Sequence, residues 1–162
     1  MEQKKKISIC SGAYNEEGNI QILYERVLEQ LKKIPQYDYE FIFADNKSTD
    51  NTREVMRRIA ANDKNVKCIF NSNNFGALRS GYNTYLHATG DVIIALVSDL
   101  QDPPELIPQF IEKWEEGYDV VCGVKSKYYG SFLSSTLRKI YYYLLNSISE
   151  VPLIQSFQGF AL

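Results

Sequence analysis

The sequence has little histidine and no surplus of basic charge. His87 is the sole histidine, and 18 Lys and Arg stand against 20 Asp and Glu, a formal net charge of −2 in 162 residues. The first shortage argues against a histidine-based triad or a zinc site. The second argues against a nucleic-acid binder, because affinity for phosphate backbones needs a basic excess. The one concentrated basic run, Lys4-Lys5-Lys6, reads as a solvated flank, and His87 as a packing or surface residue of a helix. Cysteine is sparse too. Cys10, Cys68 and Cys122 lie in separate apolar runs, with an odd count and no metal-ligand spacing, which fits buried free thiols in a reducing compartment. No apolar run approaches the length of a membrane span. The Lys-rich start leads straight into a short strand, without the apolar stretch of a secretory leader, so a cytoplasmic protein is expected. There is no internal repeat and no low-complexity linker, and Ser11-Gly12-Ala13 is a poor match to a glycine-rich phosphate loop.

What is present is ordinary globular composition, 44% hydrophobic and 23% charged, in a length suited to one domain with a substantial core. Short apolar runs alternate with amphipathic ones. Strands are expected at 7–10, 39–44, 66–70, 92–97 and 119–123. Between them, Ile20, Leu23, Val27, Leu31 and Ile34 recur at helical spacing, Val55, Met56, Ile59 and Ala60 mark a second helix, and 76–88 a third. Asp102-Pro103-Pro104-Glu105 reads as a helix start with Asp102 as N-cap, and Gly117 as the stop after Leu106, Phe110, Ile111 and Trp114. This alternation implies an α/β fold with a mostly parallel sheet and helices on both faces. The core domain is placed over 1–124. An appended loop and amphipathic helix occupy 125–162, the helix running from Phe132 to Ser149. That helix either packs on the core or lies at a membrane surface, with its aromatics at headgroup level.

In open α/β sheets, ligands bind beyond the carboxyl ends of the strands. The segments found there are Ser11–Glu17, Asp45–Asp50, Asn71–Gly76 and Ser98–Asp102, all polar and three of them acidic. Such a crevice suits a divalent cation, and through it a diphosphate. Mg²⁺ and Mn²⁺ are commonly held by one or two carboxylates plus substrate phosphates. Asp99 and Gln101 are spaced to place two oxygens on one side of a tight loop. Simpler structural roles compete with these. Ser48 or Thr49 can cap the second helix with Asp50 in its first turn, and Asn15, Glu16 and Glu17 can sit in the first turn of the first helix. Asp45 is harder to dismiss, since it follows directly on a strand, Phe41-Ile42-Phe43-Ala44, that should be buried.

Four segments carry a resemblance: Ala13-Tyr14-Asn15-Glu16-Glu17, Asp45-Asn46-Lys47-Ser48-Thr49-Asp50, Asn74-Phe75-Gly76-Ala77-Leu78-Arg79-Ser80-Gly81, and Ser98-Asp99-Leu100-Gln101-Asp102-Pro103-Pro104-Glu105. Together and in this order they resemble the family 2 inverting glycosyltransferases of GT-A fold, and within them the polyprenyl-phosphate group that includes dolichol-phosphate mannose synthase and bactoprenol glucosyltransferase. The resemblance implies that Ala13, Tyr14 and Glu16 line the nucleoside pocket and that Asp45 hydrogen-bonds the base. It places Gly76, Ala77 and Arg79 on the nucleotide's other side, with Ser98 among its contacts. Asp99 stands at the metal-binding aspartate of the Asp-X-Asp signature and Gln101 as second ligand to Mg²⁺ or Mn²⁺; the first aspartate is replaced by Val97. Lys125 and Lys127 fall where basic residues approach the phosphates.

The implied reaction moves a hexose from a UDP- or GDP-sugar to a polyprenyl phosphate, UDP-glucose to undecaprenyl phosphate being the first choice. The protein would work at the cytoplasmic face of a membrane, with homo-oligomerisation left open. In Gln158-Gly159-Phe160-Ala161-Leu162, Gly159 and Ala161 replace an acid and an arginine found in many relatives, leaving the acceptor base unassigned. Relatives continue beyond this point, so the chain reads as a truncated piece. A catalytically silent nucleotide-sugar-binding module, a transferase with a saccharide acceptor and a nucleotidyltransferase are the alternatives.

Overall fold

The computed structural model describes residues 4–124, 141–142, 144–149 and 157–162. The chain divides into two compact units, Met1–Val121 with Gly159–Leu162, and Cys122–Gln158. The first contains β1 (Lys6–Ala13), α1 (Ile20–Leu31), β2 (Asp38–Asp45), α2 (Thr52–Asn62), β3 (Val66–Phe70), α3 (Ala77–Leu86), β4 (Val92–Val97), a 3-10 turn (Pro104–Leu106) and α4 (Ile107–Glu115). β5 (Cys122–Val124) opens the second, and β6 is Phe157–Ala161. The strand order is β3-β2-β1-β4-β6-β5. β1 pairs in parallel with both β2 and β4, and β2 with β3, as the intervening helices require. β6 is antiparallel to β4 through the Ala95–Ala161 pair, so the sheet is mixed but mostly parallel. No apolar pattern had marked β6.

Alternation along β1 sorts the helices. Ile7, Ile9 and Ala13 enter the main core with Ile20, Leu23 and Val27 of α1, Met56 and Ile59 of α2, and Ile107, Phe110 and Ile111 of α4. Cys10 points the other way and meets Thr84 of α3, so α3 covers the opposite face. Phe41 and Phe43 stack at 4.1 Å between ring centroids, and Phe110 meets Phe160 at 4.6 Å. Burial pushes the Cys10 thiol up to about 12, so it is an inert core group, as its apolar surroundings suggested. In the second unit, residues 141–142 and 144–148 are helical, with Tyr141, Leu144 and Ile148 exposed. The rest of the expected 132–149 helix lies outside the described residues.

The caps differ from expectation. Asp102 is buried, and its carboxylate accepts the Val97 N–H at 3.4 Å; the 3-10 turn begins instead after Pro103. Glu105, in that turn, gives both its oxygens to Arg26 of α1, at 2.9 and 2.7 Å. Ser48, Thr49 and Asp50 all precede α2, whose N-cap is Asn51, and Asn15, Glu16 and Glu17 precede α1, whose N-cap is Asn19. Ser48, Asn15 and Glu17 reach between the two loops, Glu16 bonds Asn19 of its own segment, and Asp50 does both, accepting from Thr52 and from Glu17. Gly117 does stop α4, with φ of 98° and its N–H donating to Trp114 O at 2.9 Å.

At the amino edge of the sheet, Glu40 is 2% exposed yet ionised. Its Oε1 accepts from Ser8 Oγ and Thr89 N–H, both at 2.6 Å, and its Oε2 from Lys67 Nζ at 2.6 Å. A side chain at Gly90 would come within 2.7 Å of Ser8 Oγ, so glycine is needed for this closure. Burial alone would raise the Glu40 carboxyl; the bonds from Lys67, Ser8 and Thr89 reverse this and hold it at about 2 instead of its ordinary 4.5. A depressed folded-state pKa contributes stability that is full above the unfolded value and lost as pH falls toward the folded one. Thermal melts between about pH 5 and pH 2 should therefore show a steep acid loss in the wild type. That loss should be shallower in Glu40→Gln, which starts from a lower melting temperature; an equal acid slope in the variant would show that Glu40 is not the group responsible.

Candidate functional site

The loops after β1 and β2 are fastened to each other. Asn46 N–H donates to Ala13 O at 2.8 Å, Asn15 N–H to Ser48 Oγ at 2.9 Å and Glu16 N–H to Thr52 Oγ1 at 2.8 Å. In return, Thr49 N–H donates to Asn15 Oδ1 at 2.8 Å and Asn51 N–H to Glu17 Oε2 at 2.7 Å. This crossing needs left-handed backbone at two non-glycine positions, Asn15 (φ 56°) and Lys47 (φ 65°). Asparagine tolerates that region, and lysine does so at a cost. The outcome is a rigid ledge from which Tyr14 projects, 46% exposed, with Ala13 buried beneath it. Glu16 holds Asn19 Nδ2 with its Oε2 at 2.7 Å.

Asp45 lies at the centre of this ledge and is fully buried. Its carboxylate accepts the Lys47 N–H at 3.0 Å and the Ser48 N–H at 3.1 Å, and forms a short ion pair with Arg53 Nε. Arg53, in the first turn of α2, also donates from its Nη2 to Asn71 O at 2.8 Å, so the same guanidinium ties in the end of β3. Nothing local in the sequence marks Arg53; the signal was indirect, since a buried carboxylate at Asp45 needs a cation. Asn46, Asn71, Asn74 and Ser80 were likewise not singled out as site residues, and they form a hydrogen-bonded chain from β2 to α3.

On the β4 side, Ser98 is buried and donates from Oγ to Gly12 O at 2.9 Å, fastening β4 to β1 just where both strands end. Beyond it the chain turns through Leu100, whose φ is 63°. Asp99 Oδ1 accepts the Gln101 N–H at 3.0 Å, closing the turn, and both side chains are exposed. Among the described residues no three His, Cys, Asp or Glu side chains gather into a metal cage. The donor set fits Mg²⁺ or Mn²⁺ of the open kind, with one carboxylate and one amide oxygen from protein and the remaining positions left to phosphate and water.

The structure thus brings Ala13, Glu16, Asp45 and Ser98 together at the ends of β1, β2 and β4, with Tyr14 and Asp99 as exposed neighbours. Gly76 (φ 81°) and Ala77 begin α3 and connect to this group through Asn46 and Asn74. Arg79 is exposed and lines a pocket of about 390 Å³ along α3 with Asn71, Phe75, Ser80 and Tyr82. That pocket includes none of Ala13, Tyr14, Asp45 or Asp99. Lys125 and Lys127 lie outside the described residues. His87 is exposed, with Nδ1 2.8 Å from Asn83 O. Removing one partner of a buried ion pair strands the other, so Arg53→Met should cost about 3–5 kcal/mol in urea denaturation. Asp45→Asn in the same chain should recover part of that loss; a single variant of wild-type stability would remove the pair from its structural role.

A profile of the family described as Glycosyl transferase family 2 matches residues 8–159. The chain is 37% identical over 143 residues to the undecaprenyl-phosphate 4-deoxy-4-formamido-L-arabinose transferase of Photorhabdus laumondii, covering 86% of this chain and 43% of that protein. It is 34% identical over 158 residues to the prophage bactoprenol glucosyl transferase homolog of Escherichia coli, covering 97% of this chain and 51% of that one. The chain therefore spans about half the length of the curated relatives it matches. In fold it is similar to glucosyl-3-phosphoglycerate synthase from Mycobacterium tuberculosis, solved with Mn²⁺, UDP and phosphoglyceric acid, with a TM-score of 0.64 at 21% identity over 97% of this chain and 55% of that one. A profile match over residues 8–159, relatives above 30% identity along most of the chain and a mostly parallel sheet shared with solved neighbours place this chain in glycosyl transferase family 2, with the GT-A fold.

Proposed function

We propose that the chain forms the donor side of a glycosyltransferase that moves a hexose from a UDP- or GDP-sugar to a polyprenyl phosphate, with UDP-glucose and undecaprenyl phosphate as first choices. The observation that carries this reading is the Asp99–Gln101 turn: an exposed carboxylate and amide held by a left-handed Leu100, next to strand ends joined by Ser98. Similarity to relatives named for undecaprenyl phosphate and bactoprenol supports the acceptor class. A bound Mg²⁺ or Mn²⁺ at Asp99 and Gln101 would supply Lewis-acid stabilisation of the departing diphosphate.

The chain's own residues do the rest. Tyr14 and Ala13 offer one wall for a nucleoside, the Asp45 segment its floor, and Gly76 and Ala77 the close approach on the far side. An acceptor phosphate oxygen forms the new bond to the anomeric carbon from the opposite face. The bond from that carbon to the donor diphosphate breaks as it forms, and the nucleoside diphosphate leaves with the electron pair. The acceptor is already anionic at neutral pH, so Gly159 and Ala161, where many relatives have an acid and an arginine, leave no missing proton acceptor in this step. Lys125 and Lys127 are proposed to meet the acceptor phosphate. With that acceptor, the whole protein is proposed to work at the cytoplasmic face of a membrane; among the described residues no helix is long and apolar enough to cross one.

Asp99→Ala tests the donor half. Calorimetry with UDP and Mn²⁺ should show nucleotide affinity reduced by about tenfold or more, since the variant loses the carboxylate proposed to hold the metal. In the full-length protein, transfer from UDP-glucose to a short polyprenyl phosphate should disappear with it. Unchanged UDP affinity in the variant would sink the assignment of Asp99.

A further inference from the structure

The donor residues come from separate loops, and Asn46 joins three of them. It is 5% exposed. Its backbone N–H donates to Ala13 O at the end of β1, at 2.8 Å. Its side-chain Oδ1 accepts the Phe75 N–H at 2.9 Å and Asn71 Nδ2 at 3.3 Å, and its Nδ2 donates to Asn74 Oδ1 at 2.8 Å. Backbone chemistry fixes which way the amide faces: Phe75 N–H can only donate, so Oδ1 must meet it. Asn74 Oδ1 in turn accepts the Gly76 N–H at 3.0 Å, at the residue whose positive φ starts α3. Asn71 Nδ2 also reaches Ser80 Oγ at 3.0 Å, one turn into that helix.

We propose that Asn46 is a positioning residue for the nucleotide donor, holding Gly76 and Ala77 of the α3 entry against the ends of β1 and β2. The inference rests on the donor reading above and adds to it a residue that acts through its neighbours. Two features separate this from ordinary packing. The helix that Asn46 suspends has no side-chain N-cap of its own, so its entry is placed by the Asn46–Asn74 bond and the Phe75 contact. The outer side of α3 carries Leu78, Tyr82 and Leu86 at 90, 62 and 66% exposure, so these side chains add little packing to hold the helix in place. A network of buried amides that is fully satisfied fixes one arrangement, and one that loses a donor does not.

Asn46→Asp is the sharpest probe, because it keeps shape and the Oδ1 acceptor while replacing the Nδ2 donor with an oxygen facing Asn74 Oδ1. Ser8→Ala is the control, removing a buried hydrogen bond to Glu40 at the opposite sheet edge. Each variant is titrated with UDP and with GDP in the presence of Mn²⁺, melted, and followed by amide exchange at Phe75 and Gly76. Asn46→Asp should bind nucleotide about tenfold more weakly and exchange those amides faster, whereas Ser8→Ala should melt lower but bind as wild type. Should Asn46→Asp fail to fold, Asn74→Ala breaks the same bond from an exposed residue and should show the same loss. Nucleotide affinity within about twofold of wild type in a folded variant, whatever its melting temperature, overturns the positioning role. A wild-type chain that binds neither UDP nor GDP overturns the donor reading itself, and this inference with it.

Discussion

A carboxylate with no solvent exposure at the end of a central strand is the constraint on which the donor edge depends. Arg53 and two backbone N–H groups surround the Asp45 carboxylate and give its buried oxygens their partners. Those N–H groups belong to Lys47 and Ser48, so satisfying the carboxylate forces Lys47 into the left-handed region. That turn presents Ser48 and Thr49 to Asn15, and the β1 loop is then fixed from outside itself. Arg53 carries the same constraint to Asn71 at the end of β3. One buried charge thus sets the geometry of three loops.

Strand β2 carries buried carboxylates at both ends, and they serve different purposes. Glu40 at the amino edge is enclosed by Ser8, Thr89 and Lys67, each bonded to its carboxylate. Asp45 at the carboxyl edge is ringed by donors too, but its neighbourhood includes the exposed Tyr14 and, across β1, the exposed Asp99 turn. At the amino edge the buried charge ties β2 to β1, β3 and the β4 approach; at the carboxyl edge it organises loops.

The sheet was legible in the sequence because its strands are short apolar runs between helices with a clear apolar stripe, and Val66–Phe70 and Val92–Val97 have the expected bounds. Local signals failed where side chains were recruited by distant ones. Ser48 looks like a helix cap and Asp50 like a first-turn residue; Ser48 Oγ instead accepts the Asn15 N–H, while Asp50 accepts both the Thr52 N–H that opens α2 and the Glu17 N–H from another loop. Asp102 looks like a cap and is turned back to Val97. Arg53 and Asn46 were invisible as site residues for the same reason: their roles are defined by partners on other loops and on β3. β6 was missed because an antiparallel return strand from the far end of the chain obeys no βαβ rhythm. Loop position alone put the segments containing Ala13, Glu16, Asp45 and Ser98 beyond the strand ends, whereas the individual residues came from the resemblance; Arg79 lines a pocket along α3.

The central claim is that a nucleoside diphosphate and a divalent cation meet at the Asp99–Gln101 turn. Paramagnetic broadening of backbone amide signals by Mn²⁺ in the presence of UDP tests it most directly. The expected result is loss of the Asp99, Leu100 and Gln101 signals only when UDP is present, with Thr89 and Gly90 at the opposite sheet edge unaffected. Broadening centred elsewhere, or none at these amides with both ligands added, would contradict it.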